Sequence, residues 1–70
     1  MNSNVATVLN NLRKFAEGCE SNGWRDVYLD NARPEHMTDK TFRACLASLA
    51  KQGLYKPLDG YAFGMIKMGA

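Results

Sequence analysis

The residue types that most often bind metals or act as nucleophiles are scarce in this sequence: His36 is the single histidine, and Cys19 and Cys45 are the two cysteines. Structural zinc sites usually draw their ligands from closely spaced pairs of cysteines and histidines, and these three residues lack that spacing. A disulfide between Cys19 and Cys45 is conceivable. However, both fall on apolar positions of predicted helices, where free cysteine behaves as a small hydrophobic residue. We therefore favour two reduced, buried cysteines and predict no metal site.

Carboxylates could provide acid–base chemistry, and Asp26, Asp30 and Glu35 lie close together in the sequence. No arrangement of nucleophile and base and no glycine-rich phosphate loop accompanies them. We interpret these acids, and His36 beside them, as solvated or structural residues. The sequence predicts that the protein is not an enzyme, that it has no catalytic residue and that it needs no cofactor.

The composition predicts one folded domain over residues 1–70. Hydrophobic residues make up 46% of the chain and charged residues 23%, which is too apolar for a disordered protein. Residues 1–4 lack the basic and apolar regions of a signal peptide, and no apolar run approaches the ~20 residues that span a bilayer. We predict a cytoplasmic protein without membrane contact. Its net charge of +2 leaves nucleic acid a plausible partner without requiring it.

Apolar residues at spacings of three and four predict a first amphipathic helix near residues 4–20. They are Val5, Val8, Leu9, Leu12, Phe15, Ala16 and Cys19. Asn4 or Ser3 can cap this helix, because a short polar side chain accepts hydrogen bonds from the first free backbone N–H groups. Gly18 and Gly23 are candidate stop signals, and Gly23 suits a C-terminal cap better.

The segment that follows allows two interpretations. Val27-Tyr28-Leu29 is β-branched and aromatic, which favours a short strand, with one helical turn after it near residues 32–36. Alternatively, residues 26–32 form a short helix with Leu29 and Ala32 facing inward. We favour the strand followed by the helical turn.

A second amphipathic helix is predicted over residues 38–52. Thr38 is a suitable N-cap, and Asp39 places an acid in the first turn, where the helix dipole favours it. Gly53 suits the position just beyond the helix, with Leu54 as the apolar contact that often follows. The predicted apolar face consists of Phe42, Cys45, Leu46, Leu49 and Ala50.

The C-terminal residues predict a β-hairpin that turns at Asp59-Gly60. Its arms are residues 54–58 and residues 61–68. Pro57 has no backbone N–H to donate, so its strand is expected at the edge of the sheet. The predicted fold class is therefore α+β and mainly helical, with helices packed against a C-terminal β-hairpin.

The order of helix, short element, capped helix and hairpin resembles the winged helix-turn-helix superfamily. The residues that carry the resemblance run from Met37 to Leu54. They comprise an apolar turn residue, a capped start, the step Thr41-Phe42-Arg43, two leucines three apart and a closing Gly-Leu. The hairpin is similar to the wing of that family, and residues 5–19 to its first helix. The resemblance implies a winged-helix-like domain over residues 1–70.

For function, the resemblance implies a small transcriptional regulator that binds double-stranded DNA with the second helix in the major groove. The implied contact residues are Thr38, Lys40, Thr41, Arg43, Ala44, Lys51 and Lys56. Arg43 is the best candidate to read a base, because its planar guanidinium can pair bidentately with guanine. Lys51 and Lys56 are expected at phosphates, and Thr38 could donate its backbone N–H to one. A homodimer is implied, since a doubled site adds affinity.

A winged helix can also bind another protein, and the sequence leaves this alternative open. The predicted wing tip contains Asp59, an acid that would repel phosphate. In this case the contact residues would be Tyr61, Phe63 and Met65, since aromatic anchors and adaptable methionines suit protein interfaces. A stand-alone module of this kind could be a phage-encoded inhibitor of a larger host defence or transcription complex.

Overall fold

The computed structural model describes residues 2–58, 60 and 62–69, except for the side chain of Cys19. Along this part of the chain, the helices and strands are α1 (Ser3–Lys14), β1 (Ala16–Ser21), β2 (Trp24–Tyr28), α2 (Leu29–Ala32), α3 (Asp39–Lys51), β3 (Tyr55–Pro57) and β4 (Phe63–Lys67). The strands form one antiparallel sheet in the order β1-β2-β4-β3. The fold is α+β, as predicted. The prediction of a mainly helical protein is wrong, because β1 and β2 add a second hairpin to the sheet.

α1 has the amphipathic character that its apolar spacing predicts, and its buried residues are Val5, Val8, Leu9 and Leu12. Its N-cap is Asn2, whose side chain accepts a hydrogen bond from the backbone N–H of Val5 at 2.8 Å. The prediction of Ser3 or Asn4 as the cap is therefore wrong. The predicted end near residue 20 is also wrong, because α1 ends at Lys14.

The chain reverses at Asn22-Gly23, and this turn explains why the predicted first helix is too long. Asn22 has φ 53° and Gly23 has φ 85°, and a two-residue type I′ hairpin turn requires positive φ at both positions. β1 and β2 pair on either side of this turn, with Ala16 opposite Val27. Ala16 and Cys19 therefore lie in a strand, and Gly23 is a turn residue instead of a helix cap.

The segment after this turn combines the two interpretations that the sequence leaves open. The favoured strand is present, but it covers Trp24–Tyr28 and so begins before Val27. The helical turn is α2, which lies three residues earlier than the expected residues 32–36. The first and last side chains of α2 are buried, as the helical interpretation expects. α2 ends before Pro34, because a proline disfavours helical geometry at the residue preceding it, and Arg33 is extended with φ −69° and ψ 123°.

α3 has the bounds and both caps that the sequence predicts. The hydroxyl oxygen of Thr38 accepts a hydrogen bond from a backbone N–H of the first turn at 3.2 Å. At the other end, Gly53 has φ 75°. Its N–H donates to the oxygen of Ala50 at 3.1 Å, while the N–H of Leu54 donates to the oxygen of Leu49 at 3.0 Å. These two bonds form a Schellman motif. Ala50 itself is exposed, so its predicted place on the apolar face is wrong.

β3 and β4 form the predicted C-terminal hairpin, and β3 is an edge strand, as Pro57 requires. Hydrogen bonding continues to Leu58, whose N–H donates to the oxygen of Phe63 at 3.3 Å. The predicted turn at Asp59-Gly60 falls between Leu58 and Phe63. Gly60 has φ 82°, and Asp59 lies outside the described residues.

The helices cover one face of the sheet, and the hydrophobic core lies between them. Side chains alternate along the strands, so that Val27 of β2 and Ile66 of β4 point toward the helices. Leu46 and Leu49 of α3 are buried against them, which confirms that the predicted face of this helix points inward. The other face of the sheet and the outer side of α3 are left for contacts with other molecules.

We predict that Leu46→Ala and Leu49→Ala each lower the free energy of unfolding by about 2–5 kcal/mol, because each leaves a cavity in a filled core. Leu46 is 4% exposed and Leu49 is fully buried. The matched control is Leu58→Ala, since Leu58 is 37% exposed and should lose less than about 1 kcal/mol. Urea unfolding followed by circular dichroism measures all three; similar midpoints for the core and control variants would contradict the assignment of the core.

Gly64 leaves space for the buried ring of Tyr55, and a Cβ added at Gly64 would lie 2.6 Å from the ring carbon Cζ. We predict that Gly64→Ala lowers the free energy of unfolding by about 1–3 kcal/mol, because a packed core adapts poorly to added atoms. In a Tyr55→Val background the same change should cost less, since the ring is gone. Denaturant unfolding of the four chains measures this coupling, and an equal cost in both backgrounds would disprove the contact.

Candidate nucleic-acid interface

The outer side of α3 is a row of exposed residues, Lys40, Ala44, Ala47 and Lys51, which we call the α3 stripe. The helical repeat produces this row, because residues of the opposite side, such as Leu46, are buried in the core. The two lysines at its ends lie ~16 Å apart along the axis, at 1.5 Å per residue. The two alanines at its centre allow the helix backbone to approach any surface that the stripe contacts.

Arg43 lies beside the α3 stripe on the side of the hairpin. Its Nε is 3.6 Å from Oδ1 of Asp39, and the two side chains are 37% and 72% exposed. Solvent screens such an exposed pair, so it contributes little to stability. Burial raises the pKa of Tyr55 on β3, and the nearby positive charge of Arg43 partly offsets this rise. Arg43 thus lies where α3 meets the hairpin, and it forms an exposed ion pair with Asp39.

Thr38 and Thr41 are bonded to each other at the start of α3. The Thr38 hydroxyl accepts the N–H of Thr41 at 3.2 Å and donates to the hydroxyl oxygen of Thr41 at 3.1 Å. The Thr38 side chain therefore supports the helix, and a phosphate contact at this position would fall to its backbone N–H. Thr41 also lines a depression of about 500 Å³ between α3 and the start of α1, with Asn2, Asn4 and Ser48. This side of the α3 stripe offers neutral hydrogen-bonding groups.

A second depression, of about 270 Å³, lies on the hairpin side of α3. Its described lining is mostly apolar and includes Ala47, Tyr55 and Pro57, with Arg43 as the charged residue. Gly60 lines it too, so the hairpin connection lies beside α3. The helix therefore forms a ridge between two depressions, which is a shape that can enter a groove.

Basic residues are concentrated in the part of the chain that contains α3 and the C-terminal hairpin. Residues 40–70 carry five Lys or Arg and one acid, whereas residues 1–39 carry four Lys or Arg and six acids. The small net charge of +2 hides this separation. α3 itself carries three basic residues, Lys40, Arg43 and Lys51, against one acid, Asp39, so an anionic partner is attracted to this helix more than the overall charge suggests.

Lys56 is not part of the α3 surface. Its neighbour Tyr55 points into the core, so Lys56 lies on the sheet face opposite to the helices, which we call the open face. There its Nζ is 4.4 Å from the centre of the Trp24 ring. The structure therefore separates Lys56 from the other residues that were predicted to contact DNA, all of which lie on α3 or at its N-cap.

Phe63 and Met65 also lie on the open face, where Phe63 is 46% exposed and Met65 is half-buried. The Phe63 ring is 5.0 Å from the ring of Tyr28, at an angle of 55°. Tyr61, predicted to act with them, lies outside the described residues. Sequence reasoning missed that Trp24 and Tyr28 share this face. Their signal is the two-residue alternation of β2, which places both aromatic residues on the side opposite to Val27.

The described part of the chain holds no group of three or more His, Cys, Asp or Glu side chains that could bind a metal ion. Cys45 is a free thiol in the core. Burial raises the pKa of Cys45, so little of the nucleophilic thiolate is present at neutral pH.

Among the described residues, no helix combines the length and the apolar character needed to cross a membrane. No protein-family model, no curated protein and no solved structure matches this chain. Inferences about its function therefore depend on the shape and charge of its own surfaces.

Proposed function

We propose that this protein binds double-stranded DNA through α3 and acts as a small transcriptional regulator. The observation that carries the proposal is the α3 stripe, an exposed row that begins with Lys40 and ends with Lys51. It lies on a helix that is capped at both ends, in the basic part of the chain. An exposed helix of this kind is the element that enters the major groove in helix-turn-helix proteins.

The dimensions of the α3 stripe suit a major groove. The groove is about 12 Å wide, and the two lysines of the stripe are ~16 Å apart. The long side chains of both lysines can therefore reach phosphates along the groove that holds the helix. Between them, Ala44 and Ala47 add little bulk, so the helix can approach the base edges.

Arg43 is the residue that we propose reads a base. Its guanidinium has a planar set of donors that matches the two acceptors of guanine. To contact the base, the Arg43 side chain must break its ion pair with Asp39. The free energy lost is small, because both side chains are exposed. Thr41 and Ser48, on the other side of the stripe, provide hydroxyl groups for further contacts to the DNA backbone.

The order of elements supports the resemblance to the winged helix-turn-helix superfamily. A first helix, a strand, a short helix, the capped α3 and a hairpin follow one another as that resemblance implies. β1 is an additional strand, and α2 has only four residues. The hairpin connection at Gly60 lies beside α3, where a wing could contact the DNA next to the groove.

We predict that Lys51→Ala weakens binding to all duplex sequences alike. It should also reduce the slope of log affinity against log salt by about one unit, because a phosphate contact releases a counterion. Titration of a labelled pool of random duplexes at two salt concentrations measures both effects. Lys14→Ala is the matched control, since Lys14 is an exposed lysine at the end of α1, outside the stripe. The proposal fails if the unaltered protein binds no duplex at low salt.

We predict that Arg43→Ala costs about 1–3 kcal/mol of binding to a selected duplex and relaxes the preference at one base pair. Selection of bound sequences from the random pool, with the unaltered protein and with the variant, measures this preference. Tight binding with an unchanged preference would keep DNA as the ligand and remove Arg43 as the base-reading residue.

A second candidate function is binding to another protein, for example inhibition of a host defence or transcription complex by a phage-encoded module. The observation that favours it is the exposed Phe63 ring on the open face, beside Met65 and Tyr28. Capture from a cell extract, with and without nuclease, separates the two functions. A partner that is retained after nuclease treatment and lost with Phe63→Ala would support the protein-binding function.

A further inference from the structure

The open face is a surface that neither the core nor the α3 stripe uses. Its two central strands carry the aromatic side chains: Trp24 and Tyr28 lie on β2 on either side of Asp26, and Phe63 lies beside Tyr28 on β4. Four strands ~4.8 Å apart, with about five residues of ~3.3 Å each, give this face an area of roughly 300 Å². The aromatic rings occupy only part of this area, because charged side chains of all four strands share it.

Charges of opposite sign lie on the two halves of the open face. Glu17 and Asp26 are paired on β1 and β2, and both are exposed. Lys56 and Lys67 lie on β3 and β4, and both are exposed as well. The acidic half would repel a polyanion that covered the whole face. A partner with the same two halves in reversed order would complement it.

We propose that the open face binds the open face of a second copy of this chain. A two-fold axis parallel to the strands, above the boundary between β2 and β4, places each acidic half on the partner's basic half. The row Glu17, Asp26, Met65 and Lys56 crosses all four strands. Reversal of this row sets Glu17 over the partner's Lys56, whose Nζ must then leave the Trp24 ring that it contacts at 4.4 Å within its own chain.

The same rotation matches the other two rows of the face. Trp24 is paired with Lys67, and reversal of this row sets each Trp24 ring over the partner's Lys67, which allows a cation–π contact. Tyr28 is paired with Phe63, so the same rotation sets each Tyr28 ring over the partner's Phe63 ring. A two-fold axis in the plane of the face but perpendicular to the strands would instead place each acid over the same acid of the partner and each Lys56 over the partner's Lys56. Charge therefore selects the axis parallel to the strands.

This homodimer is weak and sensitive to salt. Two faces of roughly 300 Å² bury about 600 Å² in total, which is below the ~1,200 Å² of stable specific interfaces and corresponds to a transient contact. Its charge pairs lie near the rim, where ions screen them. The α3 stripe stays uncovered, because the helices lie on the opposite face of the sheet. The dimer therefore does not depend on the proposed DNA binding, and either can fail without the other.

Sedimentation velocity in low salt, from micromolar to millimolar protein, tests the dimer without any DNA. The unaltered protein is expected to approach twice the monomer mass as its concentration rises. Glu17→Lys and Lys56→Glu should each raise the dimer dissociation constant at least about tenfold, because each creates two like-charge contacts. Lys14→Glu, a similar reversal on α1, should leave the dissociation constant unchanged.

Mixing the two single variants distinguishes a lost contact from a damaged fold. Glu17→Lys and Lys56→Glu chains should form a mixed dimer, in which both charge pairs are opposite again. The double variant, with both changes in one chain, should also regain the dimer. A damaged fold would be rescued in neither experiment, so failure of both rescues would overturn the proposed arrangement.

A protein that stays monomeric at millimolar concentration overturns the proposal. The same variants also test single-stranded nucleic acid, which could stack on the aromatic rings of this face. Trp24 is the single tryptophan, so its fluorescence reports on the open face. Quenching of Trp24 by a thymidine oligonucleotide, in a protein that remains monomeric, would assign the face to nucleic acid instead.

Discussion

A chain of 70 residues encloses little volume, and the packing of the helices on one face of the sheet provides its core. Leu12, Phe42 and Ile66 come from three different elements, and each is at most 1% exposed. Because each element gives its apolar side to this one core, the opposite sides are left exposed. The outer side of α3 and the open face of the sheet are both consequences of that single constraint.

The two exposed surfaces differ in their chemistry, and we propose different partners for them for this reason. The α3 stripe contains lysines and small residues, and the acid beside it, Asp39, is paired with Arg43. The open face instead has aromatic rings on its two central strands, with acids on one half and lysines on the other. A polyanion suits the first surface, and a copy of the same chain suits the second. Since the surfaces share no residue, one molecule can engage both partners.

The cross-strand register is what creates the open face. The turn at Asn22-Gly23 folds β1 back on β2, so that Glu17 lies beside Asp26. Pairing of β2 with β4 then brings the Tyr28 ring to within 5.0 Å of the Phe63 ring, although the two residues are far apart in the sequence. β1 and β3 each contribute one of these side chains to the face and β2 and β4 three each, and no single strand would form the surface alone. The face exists because three strand pairings set these side chains in rows.

Local interactions explain which parts of the fold the sequence by itself determined. The bounds of α3 follow from Thr38 and Gly53, since caps act within one turn of the helix. The inward placement of Leu46 and Leu49 follows from their helical spacing. The edge position of Pro57 follows from its missing donor. The α3 residues of the candidate site could therefore be placed together before the structure was known.

Only the tertiary structure decided the end of α1, the strand β1 and the open face. The apolar spacing of Ala16 and Cys19 is compatible with a helix. The strand that forms instead is stabilised by hydrogen bonds to β2. Helical periodicity in the sequence does not reveal this partner strand. Asn22-Gly23 was the local signal for this reversal. Lys56 appeared to belong with α3 because both are basic, but the direction of a strand side chain depends on register. Register is decided by pairing between distant segments, and this pairing set Lys56 over Trp24.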